Sequence, residues 1–302
     1  MRELLPEVEH RWCARHIYAN WSKKYSGAVY CQKFWACSRS TFEERFRDTL
    51  DSLGETDPRA AEIVLTYPPA AWVRAYVSTR SKYWMPDNNL CESFNFWIGE
   101  LRYLPIISMV DGIRTKLMHK WAESETKAGR WKGIFSPACQ QMFDDNRMLS
   151  MDCGVEWNGE DGYEVTEGTD KHVVFLERKS CSCRIWDLTG IPCQHAMSAL
   201  HHAKIDPTTQ IHRFYHKETY LAGYRTKFQP IKGEAFWQLA KFKPLEPAPE
   251  IKLPGRPNKK GTDLPTWRGT GKLNNLAYVM LPMSRQMIPP SLSQECQESI
   301  AL

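Results

Sequence analysis

Two short pairs, Cys181-x-Cys183 and Cys193-x-His195, stand nine residues apart in the run CSCRIWDLTGIPCQH, and they constrain the fold of this 302-residue chain more than any other feature. Three thiols and one imidazole form the donor set of a closed tetrahedral zinc site. Four donors in two close pairs are poorly explained as scattered buried thiols or as disulfides. The flanking sequence agrees. Residues 163–166 and 172–177 are rich in β-branched and aromatic side chains and predict the two strands of a hairpin. Pro192 introduces the second pair, and residues 194–204 have helical spacing with Ala196, Ala199 and Leu200 on one side. The ligands are therefore expected at the end of a strand and the start of a helix. One structural zinc ion would clamp a ββα unit too small to hold a core by itself.

The remaining histidines lack ligand spacing. His212 and His216 are four apart without a cysteine or carboxylate beside them, and His201 and His202 follow the finger helix. The other cysteines, among them Cys31, Cys37, Cys91, Cys139, Cys153 and Cys296, are scattered, which favours a reducing compartment over a disulfide framework. With 42% apolar and 25% charged residues, the chain has the composition of a globular protein with a sizeable core. A net charge of +5 permits contact with nucleic acid without demanding it. No stretch approaches the roughly 20 apolar residues that span a bilayer. The acidic start MRELLPEVEH lacks an apolar signal core, so no secretion and no membrane partner are expected.

The first half reads as helical. Ser40-Thr41-Phe42-Glu43 has the capping-box pattern and predicts a helix to about Leu53. Asp57-Pro58 supplies a cap and a first-turn proline for a helix over 59–66. AAWVRAYVSTR resumes helical spacing after Pro68-Pro69. Pro105 opens a long helix with Ile106, Met109, Val110, Ile113, Leu117 and Trp121 on one face, and Ser136-Pro137 opens another to about Leu149. Trp12, Trp21, Trp35, Trp72, Trp84, Trp97, Trp121 and Trp131 interleave with basic residues, as stacking platforms for single-stranded nucleic acid do. At helical spacing we read them as core.

The zinc run resembles a SWIM-type finger, in the variant carried by plant Mutator-like element transposases. The resemblance covers about Arg11 to Pro257. CARHIYANW (13–21), NNLCESFNFWI (88–98), CSCRIWDLTGIPCQHAMSAL (181–200), KETY (217–220) and PGRPNKK (254–260) follow the order of that family's blocks. It implies a mainly α chain with a small α+β zinc unit. Residues 1–150 would be a partial transposase core, holding the helical insertion and last helix of an RNase H-like fold. Residues 151–225 would be the finger region, and 226–302 a basic Pro/Lys linker and disordered tail.

The resemblance also implies that Glu92 is the third carboxylate of a DDE triad, which binds two Mg2+ ions for in-line phosphoryl transfer. Read from the residues alone, Glu92 completes a capping box on Asn89. The family's two aspartates precede the CARH block, whereas only a dozen residues precede Cys13 here and none is an aspartate. One carboxylate does not hold two magnesium ions against hydration, so Mg2+ is expected only if the missing aspartates are supplied. The chain as it stands is not expected to cut DNA. Cys13 and His16 form the family's C-x-x-H pair; on a helix they share a face, and both a structural role and chelation are open.

Basic residues near the finger (Arg178, Lys179, Arg184) and in the linker (Arg256, Lys259, Lys260) are the candidate DNA contacts. Pro254-Gly255-Arg256-Pro257 resembles the core of an AT-hook, whose arginine enters narrow A·T-rich minor grooves. The family's terminal zinc knuckle has no counterpart, since Cys296 is the only cysteine beyond Lys260. The expectation is a nuclear, transposase-derived zinc protein that contacts DNA, or a protein partner through the finger. The alternatives are a component of an active DDE transposase and a domesticated transcription regulator like the far-red-response factors.

Overall fold

The computed structural model describes residues 8–85 and 89–237, and it is mainly helical. Four helices come first: α1 Ala14–Trp21, α2 Ala28–Arg39, α3 Glu43–Thr56 and α4 Pro58–Leu65. Asp57 caps α4 as its sequence predicts, its carboxylate accepting from the backbone N–H of Arg59 at 2.9 Å and of Ala60 at 3.3 Å. The capping box at Ser40 does not form. Phe42 occupies the N-cap of α3 without a side-chain bond, and Ser40 terminates α2, its hydroxyl on the Ala36 carbonyl at 2.9 Å. The Ser40 hydroxyl is taken by this local back-bond to α2, and that of Thr41 by a tertiary contact with the Cys183 carbonyl.

Residues 70–80 also depart from the helical reading. They form two short 3-10 turns, Pro69–Ala71 and Arg74–Tyr76, separated by an extended Val73. This path buries Trp72 completely, stacks it on Phe34 at 5.3 Å, and lets its indole N–H donate to the Tyr67 carbonyl at 3.2 Å. Trp21, Phe34, Trp35, Leu53, Val64 and Trp72 form the core of this half. The core reading thus holds for Trp21, Trp35 and Trp72. Trp12 stays 43% exposed, edge-on to Tyr67, while Trp84, Trp97, Trp121 and Trp131 are half-buried.

Three more helices follow: α5 Asn89–Trp97, α6 Ile106–Gly129 and α7 Pro137–Leu149. Asn89 is the first residue of α5 rather than its cap, which places Glu92 in the first turn. The stripe expected on α6 is only partly covered. Met109, Ile113, Leu117 and Trp121 are half-buried, but Ile106 and Val110 are exposed. Ser136 caps α7 by accepting from the Cys139 N–H, with Pro137 in the first turn, as expected.

The chain then enters a four-stranded antiparallel meander: β1 Cys153–Trp157, β2 Gly162–Glu167, β3 Asp170–Phe175 and β4 Ser180–Cys181. The expected hairpin is β2–β3, turned at Gly168, whose φ of +60° suits glycine. The edge strands β1 and β4 were not anticipated. Two helices complete the finger region, α8 Ile185–Thr189 and α9 Gln194–His202, and α10 Lys217–Gly223 follows. α9 is buried on two sides. Ala196 and Ala199 face Val165, Val174 and Trp186, whereas Met197 packs with Phe135, Cys139 and Phe143 from α7 and the segment before it. The segments on either side of residue 150 therefore share a core, within one compact unit that reaches Phe228. No helix of the described residues is long and apolar enough to cross a membrane.

Candidate zinc centre

The first ligand pair is delivered by β4 and the tight turn after it. The Arg184 N–H closes on the Cys181 carbonyl at 2.7 Å, and Arg184 itself takes the left-handed conformation, φ 60°. The Asp187 carboxylate, one turn on in α8, accepts from the Cys181 N–H at 3.0 Å. Ser182 ties the turn to β3 through Val173, in both directions. The second pair opens α9. Cys193 is the N-cap, its sulfur accepting from the Ala196 N–H at 3.4 Å, and His195 lies in the first turn. A thiolate there is favoured by the N-terminal end of the helix dipole.

Cys181, Cys183, Cys193 and His195 are all buried, and their ligand atoms lie within 4.8 Å of one another. His195 Nδ1 stands 3.6 Å from Cys181 Sγ and 3.9 Å from Cys193 Sγ. An ion bound tetrahedrally at usual zinc distances separates sulfur from nitrogen by about 3.6 Å. The donor set and spacing therefore fit zinc. Full burial leaves no position for a substrate, which makes the centre structural rather than catalytic.

The imidazole is held from its other side. His195 Nε2 lies 2.8 Å from Glu167 Oε2 at the end of β2, and Gln194 Nε2 donates to the same carboxylate at 3.2 Å. Glu167 fixes the ring so that Nδ1 faces the sulfurs, the arrangement in which a carboxylate orients a zinc-bound histidine. The His172 ring packs against the His195 ring at a tilt of 33°, the centroids 4.0 Å apart. Sequence reasoning missed Glu167 because it lies outside the ligand run; its place at the end of a strand before a Gly turn was the only signal.

Burial and the neighbouring donors together shift the protonation of each ligand. Burial opposes ionisation of Cys193, but hydrogen bonds from Cys181, Cys183 and His195 outweigh it and hold this thiol well below the ordinary range. Cys183 is pushed up by its hydrogen bonds to Cys181 and Cys193 and by burial. Cys181 is also pushed up; the contact with Cys183 pulls the other way and loses to Cys193 and burial. For His195, burial favours the neutral ring, but Cys193 and Glu167 outweigh it and raise the imidazole. Zinc takes cysteine as thiolate and histidine as neutral imidazole, so binding at this buried cluster releases protons.

The candidate DNA contacts divide sharply. Arg178 and Lys179 are exposed at the turn between β3 and β4, with Arg178 over the Phe175 ring at 4.9 Å. Arg184 is turned inward. Its guanidinium donates to the carbonyls of Thr41 at 3.2 Å, Val77 at 2.9 Å and Ala75, all in the helical half. Thr41 answers by donating its hydroxyl to the Cys183 carbonyl at 2.7 Å. Arg184 is thus a docking residue, a role hidden from sequence because its partners lie over a hundred residues away. Arg256, Lys259 and Lys260 lie outside the described residues. Glu92 is found beside Cys13 and His16, with His16 Nε2 3.4 Å from Glu92 Oε1. No second Asp or Glu of the described residues joins that group.

Comparison with known proteins adds one family. The SWIM zinc finger family matches residues 172–204, which contain all four ligands. No curated protein and no solved structure matches the chain. Residues 172–204 are a SWIM zinc finger, and its implied cofactor is Zn2+.

Proposed function

We propose that the chain is a transposase-derived nuclear protein in which a structural zinc finger, built into a helical body, presents basic side chains to DNA. The observation that carries this reading is the outward pair Arg178 and Lys179, projecting from the turn that leads straight into the zinc ligands. Zinc orders that turn, so the metal and the DNA contact are coupled. Arg256, Lys259 and Lys260 are further candidate DNA contacts by sequence. The origin in Mutator-like transposases, with the helical half descending from an RNase H-like core, is supported by the ordered sequence blocks.

A protein partner is the second reading. Phe96, Tyr103 and Ile106 are 82%, 92% and 66% exposed, large side chains that suit protein contact better than phosphate. Titration of duplex DNA at low and moderate salt, with zinc present and then chelated, separates the two. DNA contact predicts binding of micromolar order near physiological salt that weakens steeply as salt rises. Replacing Arg178 and Lys179 together with alanine lowers the salt slope by up to about 2. Binding that ignores both salt and zinc overturns the electrostatic reading, and no binding at low salt leaves the protein partner.

A further inference from the structure

The cluster of Cys13, His16 and Glu92 lies well apart in sequence from the finger and is not explained by it. Cys13 is the N-cap of α1 and His16 lies in that helix's first turn, so the two share a face. Glu92 comes from the first turn of α5. The three ligand atoms gather within 4.8 Å of one another.

Two details of the contact between His16 and Glu92 separate it from an ordinary surface ion pair. First, the atoms are 3.4 Å apart, whereas a charge-assisted hydrogen bond of this kind closes to about 2.7–2.9 Å. Second, Glu92 Oε1 is shielded from solvent and has no hydrogen-bond partner, although the side chain as a whole is 42% exposed. A buried carboxylate oxygen without a donor is costly. Both details follow if a cation belongs between the groups. A nitrogen and an oxygen bound tetrahedrally at zinc distances stand about 3.4 Å from each other.

We propose that Cys13, His16 and Glu92 form a second divalent-metal site, of zinc type, with one coordination position open to solvent. One thiolate, one imidazole and one carboxylate suit zinc; the thiolate disfavours magnesium, which demands an octahedron of oxygens. Three protein donors with a fourth position left for water is the pattern of open rather than closed zinc sites. The exposure of His16, 66% of its side chain, supplies the open side. The N-terminal ends of α1 and α5 both favour the negative charge that a thiolate and a carboxylate bring together there.

The test is a zinc count on the full chain after dialysis against Zn2+, with elemental mass spectrometry of the wild type and of Cys13→Ser, Glu92→Gln and Cys193→Ser. Two ions per chain are expected in the wild type and one in each variant. Cobalt substitution reports which site is filled: absorption from the Cys13 site persists in Cys193→Ser and is absent from Cys13→Ser. Excess magnesium displaces neither ion. Glu92→Gln keeps shape and removes only charge, so an unchanged circular dichroism spectrum shows that its lost ion is not lost fold. Equal zinc counts in the wild type, Glu92→Gln and Cys13→Ser overturn the proposal. One ion in the wild type, lost in Cys193→Ser alone, overturns it while leaving the finger intact. One ion lost in Cys13→Ser and Glu92→Gln but kept in Cys193→Ser supports this site and refutes the finger.

Discussion

Replacing Arg184 by alanine should loosen the finger from the helical half without touching the zinc. The guanidinium donates to the Thr41, Ala75 and Val77 carbonyls, and it is itself half-buried. Hydrogen bonds from a charged group contribute about 1.5–3 kcal/mol each in mutational series. They are not additive here, because one side chain makes all of them and the freed carbonyls recover some water. A total loss of about 3 kcal/mol is therefore expected, a large share of the 5–15 kcal/mol, roughly, that holds a domain folded. Alanine at this position keeps the strained left-handed backbone, φ 60°. Arg184→Gly relieves that strain by about 1 kcal/mol and should be destabilised by only about 2 kcal/mol. Urea unfolding of the zinc-loaded chain, followed by tryptophan fluorescence and by zinc release to a coloured chelator, measures both. Native zinc content stays unchanged, and the two probes separate into successive transitions in the variants. A loss below about 0.5 kcal/mol in Arg184→Ala, or a glycine variant weaker than the alanine one, would refute the docking role.

Two further outcomes follow from the geometry. Glu167→Ala frees the far side of the His195 ring and should weaken zinc binding about 10–100-fold without removing the ion at saturation, as read by competition with a chelator. Burial raises Cys37 from 9.0 to about 11 and Cys139 from 9.0 to about 12. The folded state then holds protons that the unfolded state releases, so this contribution is fully present below pH 9 and is lost as pH climbs from about 9 through 11 and 12. A melting temperature that falls over that window in the wild type, and falls less in a Cys37→Ala, Cys139→Ala variant, is the expected result; equal slopes contradict it.

What could be read in the sequence was what is local. The zinc ligands declare themselves by spacing because a tetrahedral ion needs donors on a turn and on a helix start, and Cys181, Cys183, Cys193 and His195 lie on such elements. Asp57-Pro58 and Ser136-Pro137 cap as written, since cap and first turn are adjacent in the chain. Ser40 and Thr41 have the same local signature and fail, because Ala36 and Cys183 offer competing carbonyls. The stretch around Trp72 has helical spacing yet turns, since burying the indole against Phe34 outweighs propensity. β1 carries a glycine and a glutamate in only five residues, too weak a strand signal to see alone; its pairing with β2 makes it. Arg184 and Glu92 look like a surface cation and a helix cap, and only the tertiary structure sets them against distant partners.

The central claim is that one buried zinc ion is held by Cys181, Cys183, Cys193 and His195. X-ray absorption fine structure at the zinc edge tests it most directly, on Glu92→Gln protein loaded with one equivalent of zinc so that the finger alone reports. The account predicts three sulfur neighbours at about 2.3 Å and one nitrogen at about 2.0–2.1 Å. A first shell dominated by nitrogen and oxygen, with fewer than two sulfurs, would contradict it.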